Sequence, residues 1–182
     1  MDDSIFYHED FYRQIEIIPQ ENYFKALKNI NDNSINYDSE NGFVSILERV
    51  EQKIKTEDLN IQFDSVYQKL NRLTIKKYDI VKTGYSNTIT IKKNTVALGF
   101  ERIALFFELT QSCIIKNIWL CQSIDLPKVS ISNNLLNAMV ALGTEYNLIL
   151  VDWNEELAIR LSSIKAVKSY LEENFAFTFP SL

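Results

Sequence analysis

The spacing of apolar residues along the chain predicts an alternation of strands and helices. Apolar and polar residues alternate over residues 12–18, a period near two that is typical of a half-buried strand. Pro19 then suits the first turn of a helix, because the N–H that proline lacks has no partner there. Phe24, Leu27 and Ile30 would form the apolar stripe of this helix. We expect it to end near Asn31, before a polar loop that extends to residue 42.

Two more helices are predicted before residue 75. Apolar side chains at positions 43, 47, 50 and 54 fall on one helical face, which favours a second helix over residues 43–54. Asp64 can cap a third helix. Its apolar stripe consists of Val66, Tyr67, Leu70 and Leu73.

The pattern changes to strands after Thr74. Residues 78–82 and 88–92 read as two strands joined by a turn around Gly84. Residues 100–109 would be apolar on both faces whether they formed a strand or a helix, so the spacing of their apolar residues does not decide between the two. Their aromatic content favours a central strand. Residues 114–120 are predicted to form the next strand.

The last fifty residues carry the clearest signals. Ser132 can cap a helix with apolar residues from 135 to 142, and Gly143 stands where a left-handed C-cap residue usually falls. Residues 147–151 and 157–161 read as a hairpin, after which Ser162 or Ser163 caps a final helix. We therefore predict an α+β fold in one domain spanning residues 1–182: a mostly antiparallel mixed sheet flanked by helices, ending in a β-hairpin plus a C-terminal helix.

The net charge of the chain and its distribution limit the classes of partner that we expect it to bind. The chain has net charge −5 and a pI near 5.0, which opposes a non-specific nucleic-acid binder that depends on phosphate contacts. The charge is unevenly placed: residues 1–64 carry −8, residues 65–128 carry +6 and residues 129–182 carry −3. A cationic protein partner is the better electrostatic expectation.

The chain also lacks the patterns of exported or membrane proteins. It opens Met-Asp-Asp-Ser, the reverse of a basic signal peptide, and its longest apolar runs are far too short to cross a bilayer. We expect a cytoplasmic protein that does not bind membranes. Cys113 and Cys121 lie in apolar stretches, so both are predicted to be buried, inert free thiols rather than a disulfide.

No motif reaches the specificity of a catalytic or cofactor signature. His8 is the only histidine, which leaves a Cys–His pair arithmetically possible but removes most zinc sites. A calcium-loop pattern starting at Asp32 fails at Tyr37 and Phe43, where such a loop needs Gly and a bidentate Glu. With only four glycines, no phosphate-binding loop is present. We expect no cofactor, no metal and no catalytic residue.

The turn of the last hairpin is the best candidate for a partner-binding site. It places Trp153 between Asp152 and the pair Glu155 and Glu156. A large aromatic side chain ringed by carboxylates is typical of an interface anchor. The alternative is that the indole folds back over its own hairpin.

The chain resembles the immunity proteins, small acidic bacterial proteins encoded beside polymorphic or contact-dependent toxins. The resemblance lies in residues 12–22 (YRQIEIIPQEN) and residues 148–156 (LILVDWNEE). It implies a non-enzymatic protein that neutralises a cognate, cationic toxin by stoichiometric occlusion. Two alternatives stay open: an enzyme with a carboxylate or Cys–His site, and a mobile-element accessory protein that binds a host factor.

Overall fold

The fold is that of a computed structural model, which describes residues 4–33, 37–38, 42–43, 51–73, 75–85, 88–100, 103–122 and 133–175. The helices in these ranges are α1 (Tyr23–Asn33), α2 (Phe63–Leu70), α3 (Asn134–Tyr146) and α4 (Ile164–Phe175). The strands are β1 (Ser4–His8), β2 (Ile15–Pro19), β3 (Tyr37–Asp38), β4 (Gly42–Phe43), β5 (Lys76–Tyr78), β6 (Ile80–Tyr85), β7 (Thr88–Ile91), β8 (Thr95–Phe100), β9 (Ile103–Leu109), β10 (Ile115–Gln122), β11 (Leu148–Asp152) and β12 (Leu157–Arg160).

The large sheet has seven strands in the order β12-β11-β2-β10-β9-β8-β5, and every neighbouring pair is antiparallel. A small sheet has the order β1-β6-β7, with β1 parallel to β6 and β6 antiparallel to β7. The last elements in the described part of the chain are the β11–β12 hairpin and α4. The predicted α+β class, with a mostly antiparallel sheet, is confirmed.

One face of the large sheet, here called the helical face, forms the main core. Helices α2, α3 and α4 pack their apolar stripes on it. The strands supply fully buried side chains such as Leu105, Phe107 and Leu150, and α4 supplies Val167 and Leu171. Each such side chain stabilises the fold by about 1.5–3 kcal/mol relative to an exposed position.

The opposite face, here called the outer face, is covered by two separate elements. The small sheet packs Ile5, Tyr7 and Val81 onto Phe106 and Trp119. Helix α1 covers the other half, where its Ala26 and Ile30 meet apolar residues of β2 and β11. Because these coverings are separate elements, the centre of the outer face is left as a gap.

The strand predicted over residues 100–109 is confirmed in its larger part. Phe100 ends β8, and β9 follows as an inner strand whose Phe106 and Phe107 are fully buried on opposite faces. Burial on both faces explains why no period was visible in this segment. The strands predicted over residues 12–18, 88–92 and 114–120 are also present, with small shifts of their ends. The strand predicted over residues 78–82 is divided, because Tyr78 ends β5 in the large sheet whereas β6 begins at Ile80 in the small sheet, and Gly84, predicted to lie in a turn, lies inside β6.

The helix predicted over residues 43–54 is wrong at both of its ends. Phe43 lies in β4, and residues 51–55 are not helical, whereas residues 44–50 lie outside the described part of the chain. The buried Asn22 side chain explains the irregular end. Its amide donates to Ile54 O at 2.8 Å and accepts from Lys53 N at 2.8 Å, so these backbone groups are satisfied without a helix.

Three predicted helix signals act differently in the structure. Pro19 ends β2 and is followed by a 3₁₀ turn rather than starting a helix directly. Helix α2 begins before Asp64, which lies in its first turn. Gly143 lies inside α3, and the left-handed C-cap is Asn147 with φ 56°. The predicted cap Ser132 lies outside the described residues, whereas Ser163 does cap α4, accepting from Ala166 N.

Among the described helices, none has the length and apolar character needed to cross a membrane.

Candidate functional site

The gap on the outer face is a cleft of about 390 Å³. Its floor is made by β2, β9 and β10, one wall by α1, and another by residues 51–57. The charged lining is balanced. It consists of Arg13, Lys25, Lys55 and Lys116 against Glu16, Glu51, Glu57 and Glu108. A cleft of this size and polarity can hold a small polar ligand or a side chain of a protein partner.

Glu16 is the central group of the floor. It lies in β2 opposite Trp119 on one neighbouring strand and Val151 on the other, and it is only 2% exposed. A buried carboxylate needs partners. Arg13 Nε donates to one of its oxygens, and the indole Nε1 of Trp153 donates to the other at 2.8 Å.

The backbone before β2 brings Arg13 into position. Arg13 has φ 56°, so the chain turns sharply there and the guanidinium folds back over the start of the strand. Burial opposes the charge of Arg13, but the Glu16 carboxylate more than offsets this effect, so the pKa of Arg13 lies above its usual value. The Arg13 guanidinium therefore keeps its charge at any physiological pH.

Glu108 is the second carboxylate of the floor. It lies opposite Asn117 in the β9–β10 ladder and accepts from Asn117 Nδ2 at 2.7 Å and from the Tyr12 hydroxyl at 3.2 Å. Lys116 Nζ lies 3.6 Å away. Burial alone would raise the pKa of Glu108, but the donors and the nearby lysines, including Lys92, outweigh it and lower this pKa.

Tyr12 links the two carboxylates. Its hydroxyl interacts with Arg13 as well as with Glu108, and Lys92 Nζ lies 4.6 Å from the centre of its ring. Burial and Glu108 raise the pKa of Tyr12, so the phenol stays protonated. One polar network thus runs from Trp153 through Glu16 to Glu108, and it holds the floor in one arrangement.

The predicted partner-binding residues divide into two groups. Trp153 is partly buried, lines the cleft and is fixed by Glu16, whereas Glu155 and Glu156 are exposed on the turn. Asp152 does not belong to the surface. It is 2% exposed, accepts from the backbone N–H of Asn154 and Glu155, and accepts from the Tyr170 hydroxyl at 2.7 Å.

The placement of Asp152 corrects the expectation that it steers a partner. Its carboxylate accepts from the backbone of the turn, as in an Asx turn. Tyr170 of α4 covers this carboxylate and donates a hydrogen bond to it. Burial, followed by the Asp152 carboxylate, raises the pKa of Tyr170, which therefore remains a hydrogen-bond donor.

The two thiols differ, against the prediction that both are buried. Cys121 is buried, and burial raises its pKa to about 12. Cys113 is exposed, at a turn between β9 and β10 where its φ is 60°. His8 lies beside Asp10, Phe11 and Tyr85. The described contacts of His8 thus join it to neither cysteine.

The sequence pattern does not predict the floor residues. It places Glu16 on the polar side of a half-buried strand and Glu108 at the end of an apolar run. The available signal was a single carboxylate in a segment predicted to be buried, because such groups are almost never buried without a partner.

In the described part of the chain, no three His, Cys, Asp or Glu side chains are grouped so that they could hold a metal ion. Comparison of the chain with protein-family models, with curated proteins and with solved structures gives no match.

Proposed function

We propose that this protein is a non-enzymatic binding protein of the immunity-protein kind, which neutralises a cognate bacterial toxin by stoichiometric occlusion in the cytoplasm. The observation that carries the proposal is the placement of Trp153. Its indole is fixed at the edge of a cleft by Glu16, and the exposed Glu155 and Glu156 follow on the same turn. A rigid aromatic side chain next to exposed carboxylates is typical of a residue that anchors a protein–protein interface.

The polar network of the cleft floor favours the binding of a partner without a conformational change. The charges of Arg13 and Glu16 are already paired, so a partner meets a surface that need not reorganise when it docks. A cationic side chain of the toxin that enters the cleft would lie along the Trp153 ring, and Glu51 and Glu57 also line this cleft. Glu155 and Glu156 would speed the encounter with a cationic surface.

The test uses the product of the gene adjacent to this one, expressed as a toxin domain, with binding kinetics measured at two salt concentrations. Trp153→Ala is expected to weaken binding by about 2 kcal/mol, roughly 30-fold, through faster dissociation. Trp153→Phe keeps one aromatic ring but loses the five-membered ring and its N–H, so it should retain more of the affinity than Trp153→Ala.

A matched pair of charge variants tests the steering. Glu155→Lys with Glu156→Lys should slow association at low salt only, because exposed charges are screened beyond about 10 Å at 0.1 M salt. The adjacent acidic pair of α4, Glu172 and Glu173, supplies the control when changed in the same way. If both double variants behave alike, or if Trp153→Ala binds normally while melting far below the wild type, the hairpin turn is not the binding site.

One observation favours a second candidate function, an enzyme or binder of a small polar molecule. Tyr12 and Glu108 meet inside a cleft of suitable volume, and such a pair can hold or move a proton. A screen of polar metabolites by thermal shift, repeated with Tyr12→Phe, tests it. A compound that stabilises the wild type and not Tyr12→Phe would favour this function.

A further inference from the structure

In the part of the chain that the structure describes, strand β7 lies at an edge of the small sheet, and it is unusually apolar for such a position. All four of its residues are exposed, with Ile89 at 63% and Ile91 at 64%. Their side chains lie on the face of the small sheet that points away from the core, because the intervening Thr90 faces the other side. Exposed apolar edge strands are templates for pairing with another strand.

The backbone of β7 also presents N–H and C=O groups that can pair with another strand. Lys92 N donates to Val81 O at 2.8 Å, which extends by one residue the register in which Ile91 faces Lys82. Hydrogen-bonded and non-bonded pairs alternate along an antiparallel ladder. Thr90 therefore bonds to β6, whereas Ile89 and Ile91 direct their N–H and C=O groups outward, to the open side of the strand.

Gly84 keeps the surface beside Ile89 uncovered. It faces Ile89 in β6 and has φ 154°. A Cβ atom at this position would lie 1.8 Å from Thr88 O, so the strand pair requires glycine there. The missing side chain leaves one flank of Ile89 open to contact.

The two ends of the small sheet carry opposite charges. At the end where β7 begins, the exposed Glu9 and Asp10 follow β1, and Asp10 accepts from the Tyr85 hydroxyl at 2.6 Å. At the end where β7 finishes, Lys82 faces Ile91 and Lys93 is exposed, whereas the carboxylate of Asp79, which precedes β6, is paired with Lys77 at 2.7 Å. An antiparallel copy of the same edge brings the acidic end of one sheet to the basic end of the other.

We propose that β7 pairs antiparallel with β7 of a second copy of this chain, about a two-fold axis at Thr90. In this register Ile89 of each copy exchanges backbone bonds with Ile91 of the other, so every outward group of the two isoleucines is used. The two small sheets then form one continuous sheet, and the isoleucines pack side by side across the axis. The proposal is independent of the proposed function, because β7 does not line the cleft.

The mass of the full chain in solution tests the proposal. Light scattering across a concentration series should show a dimer that dissociates on dilution. Ile89→Lys with Ile91→Lys should be monomeric at every concentration, because two lysines then lie at the paired edge of each copy. Ile164→Lys, which charges an isoleucine of similar exposure on α4, is the matched control and should remain dimeric.

A cysteine scan tests the register and does not depend on the lysine variant folding. With Cys113 changed to Ser, Thr90→Cys should oxidise to a disulfide-linked dimer, since residue 90 faces its own copy in a non-bonded pair. Thr88→Cys should not, because residue 88 faces residue 92 of the other copy. A wild type that stays monomeric, a dimer that survives the double lysine change, or equal crosslinking at both positions would each overturn the proposal.

Discussion

Replacing Glu16 by Gln tests whether the cleft floor is held by charge. The carboxylate is 2% exposed and has two donors, Arg13 Nε and Trp153 Nε1. Glutamine has the same shape and keeps one oxygen, so it can still accept the indole N–H. It cannot neutralise Arg13. The substitution therefore isolates the ion pair from the packing of the side chain.

The structure sets the size of the expected effect. Removing one partner of a fully buried ion pair costs about 3–5 kcal/mol, because the other charge is left without compensation. The Arg13 side chain is 29% exposed, so water can solvate part of the guanidinium after the change. We expect Glu16→Gln to lower the free energy of unfolding by about 2 kcal/mol. For a chain of this length that is a fall of about 4–8 °C in Tm.

The assay is urea unfolding of four proteins: wild type, Glu16→Gln, Arg13→Met and the double variant. The double-mutant cycle gives the coupling of the two side chains, expected to be at least about 1 kcal/mol. Arg13→Met keeps most of the apolar stem, so lost packing does not dominate its effect. A Glu16→Gln protein within about 0.5 kcal/mol of the wild type, or a cycle with no coupling, would refute the argument that the pair stabilises this floor.

Three further predictions concern other parts of the molecule. Gly143→Ala should destabilise the fold by about 3 kcal/mol in thermal unfolding, because a Cβ there would lie 2.3 Å from the Leu161 backbone carbon and α3 would have to move away; an unchanged Tm would show that the helix yields freely. A maleimide reagent should label Cys113 rapidly in the native protein and Cys121 only after unfolding, as peptide mass mapping would show, and equal rates would contradict the burial difference. Glu108→Gln should lower Tm at neutral pH, and the difference from the wild type should shrink as pH falls below the usual carboxyl pKa of 4.5, because a group with a lowered pKa stabilises the fold only while it is ionised. A difference that stays constant down to acid pH would disprove this role of Glu108.

The local elements of the fold could be predicted from the sequence because their causes are local. The two-residue period before Pro19 and the polar turn between residues 152 and 157 both correspond to strands or turns in the structure. A strand or hairpin is specified by which residues alternate and which ones permit a turn. The class and the final hairpin and helix follow from the same signals.

Prediction failed where a distant side chain decides the outcome. The apolar residues over 43–54 have a helical spacing, yet Asn22, far away along the chain, hydrogen-bonds to the backbone of Lys53 and Ile54, where the chain bends. Gly143 resembles a helix end, yet it lies inside α3, where a glycine is needed because the backbone of Leu161 approaches too closely for any Cβ. Neither contact leaves a trace in the local pattern.

The candidate site shows the same division. The sequence alone identified Trp153 and the carboxylates of its turn as a distinctive group, but it could not say which of them face solvent. That was decided by packing: α4 brings Tyr170 over Asp152, and β2 brings Glu16 under Trp153. Which side chains are neighbours in a sheet depends on the register between strands that are far apart in the sequence. Because each buried charge must find its partner across that register, the polar floor of the cleft exists only in the folded protein.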